Sequence, residues 1–170
     1  MGSQQIFDLS RLNHVRELRT ELTRKNEENS SLRAENEMLR HHLHLGILAA
    51  QDLAALGAGG RLTIFDGWNL ILGADRCVAD RGELVASAKK LLEENPDDRA
   101  WIVFDGPKEN SSVDGRLRIS YTGGRGAHRA DKLICDFLRM ARFTGSLERI
   151  EVRTRDRDFL KEVERLKGGK

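Results

Sequence analysis

The feature that most constrains this chain is a seven-residue repeat running from Val15 to Leu43. Position a holds Val15, Leu22, Asn29, Asn36 and Leu43, and position d holds Leu18, Lys25, Leu32 and Leu39. Apolar residues three and four apart form a seam along one side of a helix about 43 Å long. Two readings follow: a coiled coil, or a single amphipathic helix packed on its own domain. Asparagine at a costs stability but fixes register and favours a parallel pair. The flanks agree with that pairing. Position g holds Glu21, Glu28 and Glu35, and the following e positions hold Asn26, Arg33 and Arg40. A parallel dimer sets Glu28 against Arg33 and Glu35 against Arg40 of the second copy. Each exposed pair contributes about 0.2–1 kcal/mol, so such pairs choose partners more than they stabilise. Lys25 at d works against the seam. The expectation is a parallel homodimer through Val15, Leu18, Leu22, Asn29, Leu32, Asn36, Leu39 and Leu43, on a surface that also suits docking to another protein.

Helical character continues through Ile47 to Leu56, and Gly57-Ala58-Gly59-Gly60 breaks it as a hinge. The expected organisation is therefore residues 1–60 as coiled coil and hinge, and residues 61–170 as a folded domain. His41, His42 and His44 lie near the end of the helix. His41 and His44 share a face, but no nearby Cys or carboxylate in the sequence completes a ligand set, so a solvated helix end is expected.

Beyond residue 60 the period changes. Arg61–Phe65, Ala100–Phe104, Leu117–Tyr121 and Arg149–Thr154 read as short strands, the first two apolar. Gly82–Glu94, Ala130–Phe143 and Asp158–Leu166 read as amphipathic helices. This alternation predicts an α/β domain with a central, mostly parallel sheet covered by helices, and about 110 residues suffice for one core.

Composition bounds the function. Hydrophobic residues are 39% and charged residues 33%, with no apolar run near the about 20 residues of a bilayer span, which excludes an integral helical membrane protein. No basic segment precedes an apolar one at the start, so no leader is expected. Cys77 and Cys135 stand apart, without a CxxC pair, which suits a reducing, cytoplasmic setting. The net charge of +2 is uneven: residues 114–142 carry seven Lys and Arg against three Asp and Glu. Such a patch suits a polyanion, or equally a solvated helix face.

Three of the four strands run into an aspartate: Asp66 in Phe65-Asp66-Gly67-Trp68-Asn69, Asp105 in Phe104-Asp105-Gly106-Pro107, and Asp156 in Thr154-Arg155-Asp156-Arg157-Asp158. A fourth acid, Asp131, opens a helix. In a parallel sheet the strand C-termini share one edge with the starts of the following helices, so these carboxylates converge. Carboxylates that converge take up protons or hold a cation. Oxygen ligands suit Mg²⁺ or Mn²⁺, which can activate water for attack on a phosphoryl group. Taken singly, each acid reads more readily as a turn or helix-cap residue; the case for a site rests on the four together.

Ile64-Phe65-Asp66-Gly67-Trp68-Asn69-Leu70 resembles the "DGxN" opening of the NYN domain, a branch of the PIN-like nucleases. Val103-Phe104-Asp105-Gly106 is similar to the "FDG" segment of its YacP-like branch. Ala130-Asp131-Lys132-Leu133-Ile134 resembles the "AD-x-x-I" helix start, and Thr154-Arg155-Asp156-Arg157-Asp158-Phe159 the "TxDxD" segment. The pieces span about residues 61–167 in the family's order. The resemblance implies a PIN-like, Rossmann-type three-layer domain that cleaves RNA phosphodiesters with Mg²⁺ or Mn²⁺. It implies Asp66, Asp131 and Asp156 as metal carboxylates, Asn69 as an orienting residue, and Asp105 and Asp158 as accessory catalytic groups. Lys132 departs from the pattern, which often has a second acid there. A weakly active or inactive RNA-binding protein of the same fold is the alternative. The basic, glycine-rich run Tyr121–Arg129 offers Arg125, His128 and Arg129, with Lys132, to phosphates, and Trp68 offers a ring to a base.

Overall fold

The structure is a computed structural model that describes the backbone of residues 2–72, 79–124 and 128–168, and side chains from Leu12 onward. Cys77 and Arg125 lie outside the described residues. The chain divides into two compact units, Met1–Leu39 and Arg40–Lys170.

Helix α1, Gly2–Ala54, supplies all of the first unit that is described. From Leu12 to Leu39 its side chains are exposed except that of Met38, which is half-buried. Val15, Leu18, Leu22, Leu32 and Leu39 all face solvent.

The second unit is built on a five-stranded sheet in the order β3-β4-β2-β1-β5. Strands β1 (Leu62–Asp66), β2 (Arg99–Phe104), β4 (Leu117–Thr122) and β5 (Ile150–Arg153) are parallel, and β3 (Glu109–Asp114) pairs antiparallel with β4. Between them come α2 (Gly67–Leu72), α3 (Arg81–Glu94) and α4 (Arg129–Phe143), and α5 (Arg157–Gly168) follows β5. Leu62 lies opposite both Arg99 and Ile150, so β1 sits between β2 and β5. No helix among the described residues is long and apolar enough to cross a membrane.

Period-two alternation sends side chains to two cores. Leu62, Ile64, Trp101 and Val103 pack under α4 and α5, whose Leu133, Ile134, Phe137, Leu138, Phe159 and Val163 are buried there. Phe65, Ile102 and Phe104 pack on the other face against Leu70, Leu84, Ala88 and Leu92 of α2 and α3. Helix α3 starts with reciprocal capping: Asp80 Oδ1 accepts from Glu83 N–H, and Glu83 accepts from Ala79 N–H.

Three sequence expectations need correction. The second unit begins at Arg40, upstream of the glycines, because Leu45, Ala49 and Leu53 of α1 belong to the α4–α5 core. Gly57–Gly60 is a tethered turn: Gly60 N–H donates to Gly57 O, and the Arg149 guanidinium donates to both carbonyls. The histidines are a solvated end only at His44, which is exposed; His42 is 5% exposed, and Glu109 takes His41 and His44 on its two oxygens, at 3.3 and 2.5 Å. Strand β3 and helix α2 went unread because β3 (ENSSVD) is polar and mostly exposed, and α2 is six residues long.

Candidate functional site at the C-terminal edge of the sheet

Asp66 is the last residue of β1, and the chain turns there directly into α2. Alternation puts its side chain on the α4 face with Leu62 and Ile64, where it is 2% exposed. The following residue must be glycine, because a Cβ on Gly67 would enter the Phe104 ring. Gly106 is held in the same way against Tyr121, at 2.9 Å. The glycine of each Asp-Gly pair thus lets an aromatic layer of Phe104 and Tyr121, 5.3 Å apart and stacked, close against the strand ends.

Each carboxylate is held by a different partner. Asn69 Nδ2, one turn into α2, and Thr154 Oγ1, just past β5, both donate to Asp66 Oδ2, the latter at 2.8 Å. Asp105 Oδ1 accepts from Thr122 Oγ1 at 3.1 Å and from the Ala130 amide at 2.8 Å, tying β2, β4 and α4 together. Asp131 Oδ2 lies 3.0 Å from His128 Nδ1. Asp156 Oδ1 accepts from the amides of Asp158 and Phe159, which caps α5. Each of the four keeps one oxygen without a hydrogen bond among the described residues, and no lysine or arginine is among their described partners.

The groups feel one another. Burial pushes the Asp66 carboxyl up to about 6, against the hydrogen bonds from Asn69 and Thr154, and the charges of Asp131 and Asp105 add to the rise. Burial also raises Asp131, opposed by His128 and reinforced by Asp156 and Asp105. His128 is raised by its bond to Asp131 and by the negative charges of Asp156 and Asp105. It is the one described non-glycine residue with a left-handed backbone, at φ 61°, the kind of strain that clusters at functional sites.

Asp66, Asn69, Asp105, Asp131 and Asp156 therefore share one edge of the sheet, with His128 beside them. Asp158 does not join them: its side chain is 91% exposed and pairs with Lys161 one helical turn on. Arg129 is no phosphate grip either. It is buried, and its guanidinium donates to the carbonyls of Gly123 and Gly106. Much of the basic stretch is spent inside the fold in the same way. Arg116 caps the end of α3 through Leu92, Asn95 and Asp98 carbonyls, and Arg118 is buried against Asp52. Lys132 and His128 stay exposed. Trp68 donates its indole N–H to Asp105 O at 2.7 Å and packs edge-on to Phe104, leaving part of the ring exposed. Sequence reading missed Thr154 and Thr122 as carboxylate partners. Thr154 stood in a quoted motif, whereas nothing local marks Thr122.

The donors are carboxylate, amide and hydroxyl oxygens, a chemistry that fits Mg²⁺ or Mn²⁺ better than a soft metal. Among the described residues no three His, Cys, Asp or Glu side chains are gathered into a set that would hold a metal ion. The four carboxylates thus share an electrostatic field without meeting at one point. No family model, curated protein or solved structure matches this chain.

Proposed function

We propose that this chain is a divalent-metal-dependent ribonuclease on a PIN-like fold of the NYN type. The observation that carries the reading is Asp66: a carboxylate buried at a strand end, raised to about 6, with Asp131 and Asp105 adding negative charge and no described cationic side chain bonded to it. A fold tolerates such a group when a cation neutralises it in the working state.

Asp66, Asp131 and Asp156 would hold Mg²⁺ or Mn²⁺. The bound ion would supply charge neutralisation at a phosphoryl oxygen and acidify a water. Asn69 and Thr154 fix Asp66 by one oxygen and leave the other for the ion. Asp105 joins β4 to the start of α4 and so sets where Asp131 stands. His128 and Lys132 present positive charge for phosphate, and the exposed part of Trp68 offers a stacking face.

A second reading is an RNA-binding protein without efficient chemistry. It is favoured by Lys132 next to Asp131 and by the ungathered carboxylates. Incubation of a mixed RNA pool with Mg²⁺, Mn²⁺ or EDTA separates the two, with Asp66→Asn and Asp131→Asn as controls. The nuclease reading expects metal-dependent fragments that either substitution lowers at least about 100-fold. RNA retention without fragments supports the second reading. Equal fragments from all three proteins reject the first.

A further inference from the structure

We infer that the exposed face of α1 is an interface for a second copy of this chain, in parallel and in register. The inference is independent of what the carboxylates do. From Leu12 to Leu39 no residue is buried, yet Val15, Leu18, Leu22, Leu32 and Leu39 recur at helical spacing and are each about half exposed or more. Isolated helices owe little stability to propensity alone, and most helical stability in proteins comes from packing an apolar face. Scattered exposed leucines need no explanation, but a seam of them along a helical stretch in which no residue is buried does.

The polar positions choose the occupant. In a parallel, in-register pair each a residue meets its own copy, so Asn29 faces Asn29 and Asn36 faces Asn36, and two amides can bond each other. In an antiparallel pair a meets d, which sets these amides against Leu or Lys25. In the single helix, among the described residues, Asn36 Nδ2 bonds only Leu32 O, one turn back. The flanks discriminate in the same direction. Parallel pairing puts g against e, hence Glu28 against Arg33 and Glu35 against Arg40. Antiparallel pairing puts g against g, which sets acidic side chains against each other. A partner of different sequence would not reproduce this self-complementarity. The last seam residue, Leu43, belongs to the second unit and is 66% exposed, while His42 and Leu45 beside it are buried. The helix therefore gives one face to its own core and keeps Leu43 on another. Lys25 is the one mismatched d residue, and its ammonium lies 3.9 Å from Glu21 on the same helix.

Three variants of the full chain, followed by light scattering and circular dichroism, test the proposal. Wild type should have twice the 19.2 kDa chain mass. Leu32→Lys with Leu39→Lys should halve that mass while the α/β unit keeps its sheet signal. Lys25→Leu should lower the dimer dissociation constant at least about 10-fold, a gain that no folding defect imitates. Leu18→Cys should cross-link to a covalent dimer under mild oxidation beyond the wild-type background, because like meets like at d only in a parallel pair. Monomeric wild type, a higher oligomer, or a dimer that neither tightens with Leu at 25 nor cross-links through residue 18 would overturn the proposal.

Discussion

Thr154 Oγ1 donates a hydrogen bond of 2.8 Å to Asp66 Oδ2 across 88 residues of sequence. The two residues close the ends of adjacent parallel strands, β5 and β1, and the bond reports that pairing at the site itself. Asn69 reaches the same oxygen from α2. Asp66 is thus fixed from two sides at one oxygen, and burial still raises its carboxyl to about 6.

That rise has a cost for folding with a definite sign. Below the unfolded value of 3.8 both states are protonated and nothing is lost. Between 3.8 and about 6 the unfolded chain ionises first, so stability falls as pH rises. Above about 6 the full difference applies, about 3 kcal/mol in the absence of a cation. Asp66→Asn keeps an oxygen to accept from Asn69 and Thr154 and removes the charge. It should stabilise the metal-free protein by about 1–3 kcal/mol at pH 7.5 and by close to nothing at pH 4, read from urea unfolding at the two pH values.

His42 acts in the opposite direction. Its ring is buried against α4 with Nδ1 3.6 Å from Asp136, and burial lowers its pKa, opposed in part by the Asp136 carboxylate. The unfolded chain takes up the proton below about 6.5 while the folded chain resists it, so this contribution to stability is present above 6.5 and lost as pH falls below it. In an Asp66→Asn background, unfolding free energy should decline on acidification below pH 6.5. Adding His42→Leu should flatten that decline; an unchanged slope would place its origin elsewhere.

Asp52 joins α1 to the sheet by accepting from the buried guanidinium of Arg118 and from Arg99 at 3.2 Å. Removing one partner of a buried pair leaves the other charge without compensation. Asp52→Ala should cost about 3–5 kcal/mol in chemical unfolding. Arg165→Ala, which removes an exposed i,i+3 pair with Glu162, should leave the unfolding midpoint close to that of wild type.

Thr154→Val removes one donor from Asp66 and keeps the shape of the side chain. Because that hydrogen bond lowers the Asp66 carboxyl, the acidic limb of the cleavage pH profile should move upward in the variant, and Thr154→Ser should restore it. A fall in rate at all pH values with no movement of the limb would make Thr154 a packing residue only.

The order of strands and helices was legible because β1 and β2 are short apolar runs, β5 alternates Ile150 and Val152 with charged residues, and α4 repeats its apolar residues at helical spacing. The aspartates at the strand ends were legible for the same reason, since parallel topology brings strand C-termini to one edge. What eluded the sequence was set by tertiary contact. Glu109 completes the neighbourhood of His41 and His44 only once β3 folds back on β4. Arg129 reads as a surface cation, but the carbonyls of Gly106 and Gly123 need its donors. Asp158 lies inside α5, exposed and paired with Lys161, whereas Asp156 stands before that helix and caps it.

Mn²⁺ titration by calorimetry at pH 6, in two buffers of different ionisation enthalpy, tests the carboxylate site most directly. Asp66 is about half protonated there, so one binding event should release a fraction of a proton and be lost in Asp66→Asn. Equal binding and equal proton release by both proteins would contradict it, as would no binding by wild type.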